Sequence, residues 1–158
     1  MEDPKTAEQT TRENIRTVWD LYCRNAPTPP PAPADAVSLM MHHASLILTT
    51  TRDDQAMNLA QIAVVAKPLV PGLDVLALSL EEYSRAVKKH PGMTLECDGH
   101  ADETRLFALA EEIGEVAACL TYDNDAETGH NSDLESEVIQ VVALALAWAT
   151  RYLREGAR

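Results

Sequence analysis

With 158 residues the chain is long enough to bury one sizeable core, and twenty-five acidic against thirteen basic side chains give it a net charge of −12. That balance argues against association with nucleic acid or an anionic membrane and suits a protein that binds cations. The apolar share of 46% rests on Ala, Leu and Val, with six glycines and 4% aromatics, which favours helices over strands.

Cys23, Cys97 and Cys119 are odd in number and lack paired spacing, so reduced thiols are expected rather than a disulfide framework. The opening "MEDPKTAEQTTREN" has neither the basic nor the apolar region of a signal peptide, and the expected setting is cytoplasmic. The apolar run at 138–149, interrupted by Gln140, is too short to span a bilayer and reads as a core helix.

Ile15, Val18, Trp19 and Tyr22 recur at i, i+3, i+4 and i+7, which predicts a helix over about 7–25. Five prolines between Pro27 and Pro33 follow it. A stiff linker at 27–34 therefore sets residues 1–26 apart as a helical arm, ahead of an all-α domain at 35–158. Asp35 is placed to cap a helix through "AVSLMMHHASLIL", and Met57, Leu59, Ile62 and Val65 mark another over about 53–66, making a helical hairpin. Thr-rich sequence between the two weakens the helix without forbidding it.

Pro68, Pro71 and Gly72 end this segment. Ser79 and Glu82 have capping-box spacing for a helix over about 80–90, which Pro91 and Gly92 stop. "MTLECDGHAD" reads as a loop. Asp102 is placed to cap a helix over about 103–120, and Ser132 with Glu135 to start a last one over about 133–154. The expected fold is an all-α helical bundle with additional N-terminal helices. Three helices after residue 78 would leave apolar faces bare, so the 35–66 helices or a second subunit must cover them.

Two of these helices carry acids among apolar residues. Glu112 and Glu115, three apart, project from one helical face, and Glu111 lies one turn before Glu115. Glu137 and Gln140 repeat the spacing on the last helix. If the two helices pack together, their oxygen-bearing side chains converge on one point, an arrangement suited to Mg²⁺ or Mn²⁺. Acids on a helix more often form a solvated stripe. Against that stand Ile113, Val116, Cys119 and Leu120 around the first group and the apolar run behind Glu137, since acids crowded at an apolar seam are desolvated and repel one another.

"EEIGE" at 111–115 and "EVIQ" at 137–140 resemble the metal-binding segments of the MazG-like family, all-α nucleoside triphosphate pyrophosphohydrolases. The resemblance covers about residues 78–155. It implies Mg²⁺ held by Glu112, Glu115 and Glu137, with Gln140 as a weak ligand where the family pattern has aspartate. It also implies Glu111 as base, hydrolysis of a nucleoside triphosphate to monophosphate and pyrophosphate, and a homodimer or higher oligomer. Gln140 offers the cation an oxygen but no charge, which leaves open a degenerate protein that binds nucleotides or other proteins without turnover.

Lys88 and Lys89 are candidates for phosphate contact, although lysines at a helix C-terminus commonly just oppose its dipole. Cys97 and His100 have a spacing seen in zinc sites but no matching second pair. Trp148 and Tyr152 are spaced to stack on a base or to fill the core, and His42, His43 and His130 are assigned no chemistry.

Overall fold

The apolar run at 138–149 forms the middle of the last helix, and that helix is buried on nearly every side. Val138, Val141, Val142, Ala145, Leu146, Trp148 and Ala149 have no exposed surface at all. A helix apolar all round is stable only at the centre of a bundle, and four others pack around it. The computed structural model describes residues 4–26, 31–121, 124, 125, 129, 131 and 133–156. Residues 27–30 of the proline linker, His130 and Ser132 with its capping box lie outside them.

Among the described residues the order is α1 (Pro4–Val18), a π-helical turn (Trp19–Cys23), α2 (Pro33–Leu46), α3 (Arg52–Ala66), α4 (Val75–Lys89), α5 (Asp102–Cys119) and α6 (Leu134–Gly156). Short 3₁₀ turns at Ile47–Thr49 and Lys67–Leu69 follow α2 and α3, and no strand occurs among the described residues. The central α6 packs against α3, α5, α4 and α1, while α2 lies on α3 and α5. Among the described residues no helix is long and apolar enough to cross a membrane.

The N-terminal helix corrects the expectation of an arm. Ile15, Val18, Trp19 and Cys23 join the same hydrophobic core as α6, and Arg12 donates to the Leu80 carbonyl of α4 at 2.7 Å. Ser84 of α4 donates in turn to Glu8 at 2.6 Å. Tyr22 was expected on the buried stripe, but Cys23 takes that place and Tyr22 is only half-buried. The π-helical turn inserts the extra residue that rotates the face. Cys23 donates to the Ala60 carbonyl of α3 at 3.6 Å, and the Lys67 ammonium lies 5.5 Å from the Trp19 ring centroid. Helices α1, α2 and α3 therefore cover the apolar faces for which a second subunit was the alternative.

Helix starts differ from the expected caps for local reasons. Pro33, with its fixed φ and no N–H to lose, opens α2, so Asp35 falls within the first turn. Thr49 and Thr50 donate to the Leu46 carbonyl at 3.1 and 3.0 Å, closing that helix and settling the Thr-rich break. Asp74 accepts from the Ala77 amide at 3.1 Å and starts α4 five residues before the expected position. Ser79 is consequently a buried mid-helix residue, and Glu82 is free to pair elsewhere.

Asp102 is the first residue of α5 rather than its cap, and its carboxylate accepts from Arg105 at 2.7 Å. Arg105, 1% exposed, also donates to the carbonyls of Leu95 and His100, each at 2.6 Å, and to that of Cys97. The 93–101 segment is thus a loop wrapped around one guanidinium. Before α6, Asp133 accepts from the Glu135 amide at 3.2 Å and from the Ser136 hydroxyl at 2.8 Å.

Because Ile15 is fully buried against this core, Ile15→Ala should lower stability by about 2–5 kcal/mol in urea or guanidinium unfolding. A detached arm would give almost no change.

Candidate metal centre

Packing of α5 on α6 brings three carboxylates together. Leu109, Ile113 and Val116 turn the apolar stripe of α5 inward, and Glu112 is carried to the edge of that stripe. Glu137 lies in the first turn of α6, immediately before its buried run. One oxygen each of Glu112, Glu115 and Glu137 lies within 4.8 Å of the others, the one such group of three or more potential ligands among the described residues. Glu112 and Glu137 are half-buried and Glu115 is exposed. Gln140, one turn on from Glu137, donates its amide to the Glu137 carboxylate at 2.8 Å.

The electrostatics of the group are unfavourable without a compensating cation. Burial pushes Glu112 up from 4.5 to about 7, reinforced by Glu115, then Glu137, Glu111 and Glu82. Glu137 is raised as well, first by burial and then by the Glu115 carboxyl with which it hydrogen-bonds. One oxygen of Glu112, Oε2, is buried and accepts no hydrogen bond. Unpartnered acceptors are uncommon in native structures, because leaving one costs more than an average hydrogen bond returns. An all-oxygen donor set with an orphaned carboxylate oxygen fits a hard divalent cation such as Mg²⁺ or Mn²⁺.

Of the other anticipated residues, Lys89 lines a cavity of about 210 Å³ together with Glu112 and Gln140, whereas Lys88 is exposed and does not line it. Glu111 is exposed and outside the carboxylate group. Trp148 is fully buried and Tyr152 packs on the core, so this pair fills the bundle rather than offering a stacking face. His100 contacts the Met93 carbonyl at 3.1 Å, and Cys97 contacts the Thr94 hydroxyl at 3.4 Å, so neither belongs to a metal-binding group.

Two further residues of α4 and one just past its end stand beside Glu112. Glu82, Arg85 and His90 line the same cavity, and Arg85 grips Glu82 through Nε at 2.8 Å and Nη2 at 2.5 Å. Assigning Glu82 to a capping box concealed this. The signal was the spacing of Glu82, Arg85 and Lys89 at i, i+3 and i+7, a polar stripe opposite the apolar one.

No protein-family model matches the chain, and no match is found among curated proteins or among solved structures. The MazG-like resemblance therefore rests on the residues of "EEIGE" and "EVIQ" themselves.

The raised Glu112 fixes the sign of a pH dependence. Between 4.5 and about 7 the native protein holds a proton that the unfolded chain has released, so cation-free stability should fall as pH rises across that window. Thermal melting of wild type and Glu112→Gln should show that slope reduced in the variant. Mg²⁺ should raise the wild-type melting temperature more at about pH 8 than at about pH 5, since protons compete for the same oxygens.

Proposed function

We propose that the protein is a divalent-cation-dependent nucleoside triphosphate pyrophosphohydrolase of MazG-like type, acting in the cytoplasm on NTPs or dNTPs. The observation that carries this reading is the convergence of Glu112, Glu115 and Glu137 from two helices, at the spacings of "EEIGE" and "EVIQ". Scission joins a water oxygen to the α-phosphorus and breaks its bond to the bridging oxygen of the β-phosphate, releasing a monophosphate and pyrophosphate. A bound Mg²⁺ or Mn²⁺ supplies charge neutralisation at the phosphate oxygens and acidifies coordinated water.

The chain's residues divide the remaining work. Glu112, Glu115 and Glu137 hold the cation, and Gln140 adds its neutral carbonyl oxygen while its amide steadies Glu137. Glu111, the neighbouring acid outside the group, takes the proton from the attacking water. A homodimer or larger assembly belongs to the same reading and is checked by sedimentation equilibrium.

One observation favours a second reading. With Gln140 donating to Glu137, the site has one acid fewer than the family pattern, as a nucleotide-binding protein without turnover would. Pyrophosphate release from a panel of triphosphates with Mg²⁺ or Mn²⁺ separates the two. An enzyme should lose all release in Glu115→Ala, and about 10²–10⁴-fold of kcat in Glu111→Gln with cation affinity retained. A degenerate binder should be inactive as wild type and gain turnover in Gln140→Asp.

A further inference from the structure

The chain carries nearly twice as many acids as bases, yet two of its cations line one cavity with Glu112 of the acid group. Arg85 and Lys89, one turn apart on α4, flank the cavity whose lining includes Glu112 and Gln140. Arg85 also lines a second, more open cavity of about 630 Å³, shared with Glu82, Gln140 and Asp133. Arg85, like Glu82 and Gln140, therefore borders both spaces. A cation held by carboxylates accounts for only part of what a polyphosphate needs, because phosphate oxygens not touching that cation require donors of their own.

Arg85 already displays the geometry for such a contact. Its Nε and Nη2 donate to the two oxygens of Glu82, the two-pronged grip that a guanidinium also applies to a pair of phosphate oxygens. Its side chain is 59% exposed, so solvent screens the ion pair and leaves the guanidinium open to a ligand. A more highly charged phosphate therefore competes well with the Glu82 carboxylate. Lys88 lines neither cavity.

We propose that Arg85, supported by Lys89, forms an anion subsite for the pyrophosphate half of the triphosphate chain, with Glu82 holding the guanidinium in register when the subsite is empty. The assignment rests on the pyrophosphohydrolase reading for the identity of the ligand. Lys88 makes no phosphate contact.

The test is calorimetric titration of inorganic pyrophosphate, in saturating Mg²⁺, into wild type, Arg85→Gln and Lys88→Gln, with circular dichroism confirming the fold of each. Arg85→Gln should weaken pyrophosphate binding about 10- to 100-fold, as loss of a charge-assisted bidentate contact does, while Lys88→Gln binds like wild type. Mg²⁺ titrated alone should bind Arg85→Gln as tightly as wild type or more tightly, since a nearby positive charge is gone. Equal pyrophosphate affinity in wild type and Arg85→Gln, or no pyrophosphate binding to cation-loaded wild type, overturns the subsite. Triphosphate hydrolysis with an unchanged KM in Arg85→Gln overturns it too and leaves the hydrolase standing. Arg85-dependent pyrophosphate binding without cleavage of any triphosphate does the reverse.

Discussion

Everything in this fold is arranged around a helix that has almost no polar surface to give away. From Val138 to Thr150 only Gln140 and Leu144 escape burial in α6, so polar groups that must meet solvent or a ligand are confined to its two ends. Glu135 and Glu137 sit in its first turn, where the positive end of the helix dipole favours acids. Glu137 is consequently held at the rim of the core, and whatever packs beside that turn decides its environment. What packs there is α5, whose apolar stripe is interrupted on its flank by Glu112 and Glu115.

The same constraint explains why the N-terminal residues belong to the bundle. A helix buried all round needs neighbours on each side, and α3, α4 and α5 do not suffice without α1. Prolines between two helices limit the conformations of the connection but say nothing about whether the helices meet again. Here α1 returns to the bundle through Ile15, Val18 and Trp19, and through the contacts of Arg12 and Glu8 with α4. This docking bears on the site because α4 carries Glu82, Arg85 and Lys89. Fixing one face of that helix against α1 and α6 fixes the direction in which its opposite stripe points.

Periodicity revealed the helices because apolar spacing is a direct record of burial, and the pairing of "EEIGE" with "EVIQ" revealed the three acids that converge. What stayed hidden depended on partners far away in the chain. Arg105 looked like one basic residue on a helix, and only the fold shows it satisfying three carbonyls of the preceding loop. Ser79 and Glu82 had the spacing to start α4, but Asp74 caps it five residues earlier. The apolar Val75 and Leu80 tip the balance to the earlier one, because burying them requires the helix to extend that far. Cys23 replaced Tyr22 in the core because a π-helical turn breaks the 3.6-residue count, and nothing local announces such a turn. Glu82 and Arg85 were concealed for the same reason as Asp74, since one wrong cap reassigns the residues behind it.

Gln140 shows how the charge of the site is balanced. An aspartate there would stand one turn from Glu137, adding a fourth negative charge to a group in which burial and repulsion already raise Glu112 and Glu137. The amide instead donates to Glu137, which relieves repulsion in the empty site and keeps that carboxylate oriented. The cost appears when a cation arrives, because a neutral oxygen attracts it less than a charged one. Arg85 and Lys89 add positive charge nearby, which further lowers the pull on a bare cation but raises it on one that carries phosphate. On the proposed pyrophosphohydrolase reading, the balance of these residues would favour a cation delivered with a polyphosphate over the free ion, so that cation and anion bind as one unit.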